Sequence, residues 1–310
     1  MVFLQNVKKK LLKLSKSESK TLLITLICTI LGVFVPKAIL NVIAVLNVLT
    51  VGIIHGANDL YLVTKSIKTS KKITFKLIFF IYVAFILFMV FALYHNPIIA
   101  LMFFVLISSF HFGEQQWYNK SMISSNSDNI FYFFYGVLLF SILFISNFNE
   151  TQLIINEISS VIIAKELLYY VLIISSIVLI FLIFRKINSY KNQLLFQTLS
   201  LILISLLFVT NDLFWSFSVY FVIWHSLPSL NEQSHELFPK EKNKTYKYLK
   251  FALPYWLLAI FGLIISYFYI EKTGLSIIST FFAFLASITI PHVFVIFLMH
   301  FPKALWTPFS

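Results

Sequence analysis

Charged residues are scarce in this sequence, and their scarcity sets the first limit on its fold. Asp, Glu, Lys and Arg make up 12% of the 310 residues, whereas 59% of the residues are hydrophobic. Soluble domains contain about 25% charged and about 45–50% apolar residues. Because a water-soluble fold of this length could not bury so much apolar surface, we expect an all-α fold, a polytopic integral membrane bundle in contact with membrane lipid.

Cysteine is nearly absent as well. The single cysteine, Cys28, lies within an apolar run, which excludes a disulfide framework and a thiolate metal site. A net charge of +12 could suggest nucleic-acid binding, but the lysines form short clusters between apolar runs instead of covering one helix face. We therefore expect no nucleic-acid partner.

Ten apolar segments approach the length of about 20 residues that a membrane helix needs. Residues 1–20 are predicted to form a basic cytoplasmic N-terminal segment, and residues 21–310 a single transmembrane helical domain. The predicted spans are 21–35, 38–60, 74–95, 97–118, 130–147, 167–184, 193–210, 213–230, 250–270 and 276–300.

Basic residues fall almost entirely in alternate loops, and this predicts the orientation. One side receives the clusters at 8–20, 65–76, 120, 185–191, 240–250 and 303, whereas the other receives Lys37 and Lys272. Basic loops face the cytoplasm. Both termini are therefore predicted to be cytoplasmic, in a multi-pass protein of the inner (cytoplasmic) membrane. The polar loop at about 231–250 is interpreted as a solvated linker in preference to a lid.

Four of the seven histidines lie inside predicted spans, all of them even-numbered. Each follows the start of its span by roughly 12–17 residues, which is about 18–25 Å along a helix. Ionisable residues at one depth in a bilayer indicate a functional site. The four are His55, His111, His225 and His292. The other three, His95, His235 and His300, are expected at the interface or in solvent.

Two carboxylates accompany this layer. Asp59 and Glu114 follow His55 and His111 by about one helical turn, so each pair should share a helix face. Each carboxylate could accept the N–H of a ligating imidazole in a second coordination shell, or bind the metal directly. Several neutral imidazoles with optional carboxylates suit Fe(II), Zn or Cu. The spacing therefore predicts a metal site.

The segments that carry these histidines resemble, in order, those of the Brp/Blh family of bacterial and archaeal β-carotene 15,15'-dioxygenases. Residues 52–59 (GIIHGAND) resemble the family's G-x-P-H-G-A-x-D segment, and 111–114 (HFGE), 220–226 (YFVIWHS) and 290–292 (IPH) add further matches. The resemblance implies cleavage of the central double bond of β-carotene by O2 into two all-trans retinal molecules. It also implies histidine-bound non-haem Fe(2+), with His55, His111 and His225 as catalytic iron ligands, and a rhodopsin that receives the retinal as a possible partner.

Two positions depart from the family pattern. Ile54 replaces the proline before the family's first histidine. Ser229 stands where the family often has a further histidine, four residues after the one that corresponds to His225. The serine leaves the fourth metal ligand open. His292, at the same predicted depth, is the candidate.

Three other classes of protein remain as alternatives. A membrane di-iron hydroxylase or desaturase needs clustered histidine boxes, which the sequence lacks. A b-type haem protein needs paired axial histidines. A transporter could use a histidine site beside broken helices, and Pro228 and Pro291 are placed to break the helices near His225 and His292. Another metal-dependent oxygenase that acts on a lipid or a different carotenoid is the main alternative enzyme.

Overall fold

The structure is a computed structural model that describes residues 14–66, 75–117, 126–190, 193–270 and 275–300. Over these ranges the chain is helical and contains no strand. The α-helices, in chain order, are α1 (Lys16–Phe34), α2 (Lys37–Asn47), α3 (Asp59–Ser66), α4 (Phe75–His95), α5 (Pro97–Trp117), α6 (Asn126–Ser146), α7 (Phe148–Ser159), α8 (Lys165–Tyr190), α9 (Leu194–Thr210), α10 (Leu213–Tyr220), α11 (Leu227–Leu237), α12 (Lys244–Ile270) and α13 (Ile277–His300).

Eight helical segments within the described residues are long and apolar enough to cross a membrane. Two further apolar segments, Lys37–Gly52 and Leu194–Thr210, are helical but shorter. These eight and two correspond to the ten predicted spans, so the all-helical, multi-pass class is confirmed, whereas exactly ten crossings stay a prediction. The orientation and the basic segment at residues 1–20 also stay predictions, and several of the lysines concerned lie outside the described residues.

Two short segments have π-helical winding, in which the backbone hydrogen bonds span five residues. Val48–Gly52 follows α2 directly, and Phe221–Ser226 joins α10 to α11. The two segments contact each other, and a Cβ on Gly52 would lie 2.9 Å from the ring of Phe221.

The predicted span 38–60 is not one continuous helix. Helical winding stops after residue 54, residues 55–58 form turns, and α3 begins at Asp59.

The helix breaks expected at Pro228 and Pro291 are also wrong. Helical winding continues from the second π-helical segment through Pro228 into α11, and Pro291 lies inside an uninterrupted α13. The predicted polar linker at 231–250 is mostly helical, because α11 extends to Leu237 and α12 begins at Lys244.

Close packing of α5 against α6 fixes one wall of the bundle. A Cβ on Gly113 would lie 1.8 Å from the carbonyl oxygen of Tyr132, and a Cβ on Gly136 would lie 1.8 Å from that of Ser109. Small residues at such crossings let two membrane helices approach backbone to backbone. Only glycine fits at either position, and α5 is thereby held at a fixed depth and rotation.

Polar contacts tie the starts of α2 and α10 together. The Glu150 carboxylate on α7 pairs with Lys37 and accepts the backbone N–H of Leu213 at 2.8 Å. Asp212 caps α10 by accepting the backbone N–H of Trp215 at 3.1 Å. Because α2 and α10 lead directly into the two π-helical segments, these contacts set where both segments begin.

Candidate metal centre

The four histidines of the predicted layer converge in one buried cluster. The ring centroid of His55 lies 4.9 Å from that of His225 and 4.8 Å from that of His292. His111 joins the cluster at 4.7 Å from His225 and 5.4 Å from His292. All four side chains are buried. Candidate ligand atoms of His55, His225 and His292 lie within 4.8 Å of one another, so these three residues could hold a metal ion.

The irregular backbone after the first π-helical segment orients His55. Its Nδ1 donates a hydrogen bond to the carbonyl oxygen of Gly52. Because a neutral imidazole donates from one nitrogen only, this bond leaves the lone pair on Nε2. That atom lies 3.2 Å from Nε2 of His225. Two nitrogens bound to one ion at about 2.1 Å would be about 3.0–3.4 Å apart, so the spacing fits shared coordination.

His225 lies in the second π-helical segment, where its neighbours fix it. Its ring stacks on Phe221 at 5.4 Å between centroids and lies 4.6 Å from Phe112. The adjacent Trp224 points away from the cluster and donates its indole N–H to the Thr25 hydroxyl at 3.0 Å. The π-helical winding thus directs two consecutive side chains into separate buried contacts.

Asp59 orients His292. Its two carboxylate oxygens each lie 3.0 Å from Nδ1 of His292, and the Tyr82 hydroxyl donates to Oδ2 at 2.8 Å. Nε2 of His292 is buried and has no hydrogen-bond partner among the described residues, so its lone pair is available to a metal. Carboxylate partners of this kind fix the tautomer of a ligating imidazole.

Sequence spacing predicts His55 as the partner of Asp59, and this prediction is wrong. The rule that residues four apart share a face holds only within a helix. Here turns occupy residues 55–58, so His55 and Asp59 belong to different local structures. Asp59 keeps the kind of role expected of it, but for a histidine more than two hundred positions away in sequence.

The second expected pair is also looser than the spacing suggests. Glu114 Oε2 lies 4.0 Å from Nδ1 of His111, which is beyond hydrogen-bond length. Both side chains are buried in the turn of α5 that includes Gly113, where α5 crosses α6. The close crossing with α6 therefore determines the depth of His111.

Sequence reasoning missed a buried polar network behind His55. The Tyr248 hydroxyl lies 2.5 Å from the carbonyl oxygen of His55 and 2.8 Å from Oε1 of Gln233. Gln233 in turn donates to the Ser229 hydroxyl at 2.8 Å, and Asn58 donates to the carbonyl oxygen of Tyr248 at 3.0 Å. The network supports the turn that bears His55. Gln233 and Tyr248 fall in the segment interpreted as a solvated linker, so no sequence signal marks them as buried.

Two of the remaining histidines lie away from the cluster. His95 is exposed at the end of α4, where its ring contacts Phe91 and Tyr94. His235 is exposed and donates from Nδ1 to the carbonyl oxygen of Asn231 at 2.8 Å. The side chain of His300 lies outside the described part of the chain.

An apolar cavity of about 250 Å³ adjoins the cluster, and all four histidines contribute to its wall. The rest of the wall comes mainly from α4, α12 and α13 and is predominantly aliphatic and aromatic. An imidazole cluster at the end of an apolar cavity can place a metal ion beside a nonpolar ligand and keep water away from it.

The chain matches the model of a known protein family. The model of the family described as "Beta-carotene 15,15'-dioxygenase" matches residues 46–300, a range that includes the four clustered histidines, Asp59 and Glu114. A search of curated proteins and a search of solved structures give no match to this chain.

Proposed function

The chain belongs to the β-carotene 15,15'-dioxygenase family, and we propose on this basis that it cleaves the central double bond of β-carotene with O2 to give two all-trans retinal molecules. The observation that carries the proposal beyond the family match is the buried histidine cluster at the end of an apolar cavity. The reaction balances without a further reductant. The central C=C bond and the O=O bond break, and each carbon takes one oxygen atom.

We assign the metal as Fe(2+), with His55, His111, His225 and His292 as its ligands. Imidazole donors suit Fe(II), and the apolar cavity beside them suits a hydrocarbon substrate. When bound, Fe(2+) supplies the redox chemistry that lets O2 react with an alkene. His292 takes the place of the ligand that the family often has at position 229, where this chain has Ser229.

The remaining residues of the site act on the ligands. Asp59 holds the Nδ1 proton of His292 and so keeps its Nε2 lone pair facing the cluster. The Gly52 carbonyl does the same for His55. Phe112 and Phe221 pack against His225 and exclude water from that side. Glu114 is buried beside His111 and is proposed to support it from outside the coordination sphere.

The location in the membrane suits this substrate. β-Carotene is confined to the hydrocarbon core, and a cavity between membrane helices can take it directly from the lipid. We propose the inner membrane as the site of the protein, in line with its predicted orientation. Retinal released there would be available to a rhodopsin in the same bilayer.

Expression in a bacterial host that accumulates β-carotene tests the proposal. We expect loss of the orange colour and appearance of retinal in the extract. His55→Ala and His111→Ala should each abolish retinal formation and lower bound iron, because each removes a ligand. His95→Ala is the matched control and should retain activity, since His95 is exposed outside the cluster.

Two results would count against this assignment. Full activity of His55→Ala would exclude the cluster as the catalytic site. Carotene that persists although the wild-type protein reaches the membrane and binds iron would indicate another carotenoid or a lipid as substrate.

A further inference from the structure

The wall of the cavity beside the histidines extends along three helices. Its wall on α4 runs from Phe79 to Ile86, on α12 from Tyr255 to Gly262, and on α13 from Phe284 to His292. Seven or eight residues of helix correspond to about 10–12 Å. Within each range the lining positions recur three or four residues apart, so each helix presents one continuous face to the cavity.

The histidines lie at one end of this cavity, and Gly262 lies toward the other. Tyr82 on α4 bonds to Asp59, and the ring of Tyr255 on α12 lies 6.0 Å from that of Tyr61 on α3. The first contact places Tyr82 beside the metal centre, and the second places Tyr255 beside the helix that begins at Asp59. Gly262 is seven residues beyond Tyr255 and therefore about 10 Å farther along the cavity.

The wall is open at Gly262. A Cβ built there would meet no atom of the described residues within 4 Å, whereas a Cβ on Gly56 would lie 3.1 Å from Nδ1 of His292. Leu258, one turn from Gly262, lines the cavity and is also 56% exposed. The cavity therefore opens beside α12 toward the lipid.

The far part of the cavity has little polar character. Asp59 is the one charged carboxylate in its described wall, and it is bonded to His292 and Tyr82 at the histidine end. The Thr289 hydroxyl donates to the carbonyl oxygen of Leu285 on its own helix. A ligand in this part would contact apolar surface.

We propose that this cavity receives one arm of the carotenoid and that Gly262 is a specificity-determining residue, which leaves room for the ring at the end of that arm. The proposal rests on the proposed function. Central cleavage requires the middle of the molecule at the histidines, so one half must extend away from them. The length of the cavity then sets the cleavage position, because the depth to which the arm enters decides which double bond reaches the metal centre.

A longer side chain at position 262 should shorten the part of the cavity that the carotenoid arm can occupy. The arm would enter less deeply, and a double bond nearer to its ring would lie at the histidines. Cleavage there gives one aldehyde shorter than retinal and one longer. An acyclic carotenoid, which lacks the terminal ring, should be less affected than β-carotene.

The test is a graded series, Gly262→Ala, Gly262→Leu and Gly262→Phe, with Leu257→Phe as the matched control on the same helix. Leu257 is 52% exposed and lies outside the cavity wall. Each variant is expressed in hosts that accumulate β-carotene or an acyclic carotenoid, and the aldehydes are quantified per molecule of membrane-inserted protein. We expect retinal from β-carotene to fall more than tenfold at Gly262→Phe, with aldehydes of unequal length in the residual product, while Leu257→Phe matches the wild type.

The outcomes separate the two proposals. A wild-type protein that cleaves neither carotenoid would overturn the proposed function. Central cleavage by the wild type with a flat response across the series would overturn the role of Gly262. An equal loss on ring-ended and acyclic carotenoids, without a change in product length, would also overturn it, because a general structural defect lowers both. If Gly262→Phe does not accumulate, the comparison of Gly262→Ala with Gly262→Leu decides in the same way.

Discussion

Two of the four clustered histidines come from irregular backbone, and two come from regular helices. His55 and His225 lie in or directly after π-helical winding, whereas His111 and His292 lie within the long helices α5 and α13. In the irregular pair, hydrogen bonds of the ring and of the backbone carbonyl hold His55, whereas packing against Phe112 and Phe221 holds His225. The regular pair is held by helix packing and, for His292, by a carboxylate. The cluster thus depends on two different kinds of support, which substitutions can separate.

The largest effect is expected where close helix packing positions a histidine. In Gly113→Ala the new Cβ would lie 1.8 Å from the Tyr132 carbonyl oxygen, so α5 and α6 must separate and His111 must move. We expect a loss of about 1–3 kcal/mol in stability, typical of overpacking, and a more than tenfold fall in retinal formation. Thermal unfolding of the protein in detergent measures the first effect.

The control for this variant is Gly262→Ala, which adds the same methyl group where nothing described lies within 4 Å. It should leave the unfolding temperature at or above that of the wild type, since alanine favours a helix over glycine. Equal destabilisation by the two variants would contradict the assigned role of the α5–α6 crossing.

A carboxylate supports the second regular histidine, and Asp59→Asn removes its charge while keeping its shape. The His292 tautomer is then no longer fixed, and we expect iron affinity to fall about 10–100-fold, as for other second-shell partners of metal-bound histidines. Competition with a chelator measures the affinity. Glu236→Gln, an exposed carboxylate in an ion pair with Lys65, should leave it unchanged. Unaltered iron affinity in Asp59→Asn would show that His292 needs no orienting partner.

The smallest effect is expected around His55, because several hydrogen bonds share its support. Tyr248→Phe removes the hydroxyl between the His55 carbonyl and Gln233, which should cost about 1–3 kcal/mol of stability and weaken iron binding only severalfold. Tyr246→Phe is the matched control, since Tyr246 is 69% exposed on the same helix. If Tyr248→Phe abolished iron binding while the protein stayed folded, it would be wrong that several hydrogen bonds share the support of His55.

The features that follow from composition and spacing could be predicted from the sequence. Apolar segments of sufficient length had to become membrane helices, and histidines at a common distance from the starts of even spans had to lie at one depth. The rise per residue of a helix and alternate crossing of the bilayer are enough to predict both features.

What could not be predicted depends on contacts between distant segments. The partner of Asp59 is His292 because turns replace helix at residues 55–58. Gly56 and Asn58 favour a turn there, but nothing in that stretch indicates which distant histidine Asp59 will contact. The π-helical segments are stabilised by contact with each other. Gln233 and Tyr248 lie in a polar stretch that looks solvated, yet their side chains are fully buried behind His55. Local periodicity carries no information on such pairings.

Metal analysis of the purified protein is the most direct test of whether the clustered histidines hold one iron ion. We expect a stoichiometric amount of iron in the wild type, and its loss in a variant that lacks both His55 and His292. Wild-type protein that is folded in the membrane yet contains no iron after anaerobic supply of Fe(2+) would contradict it. So would retention of the full amount of iron by the double variant.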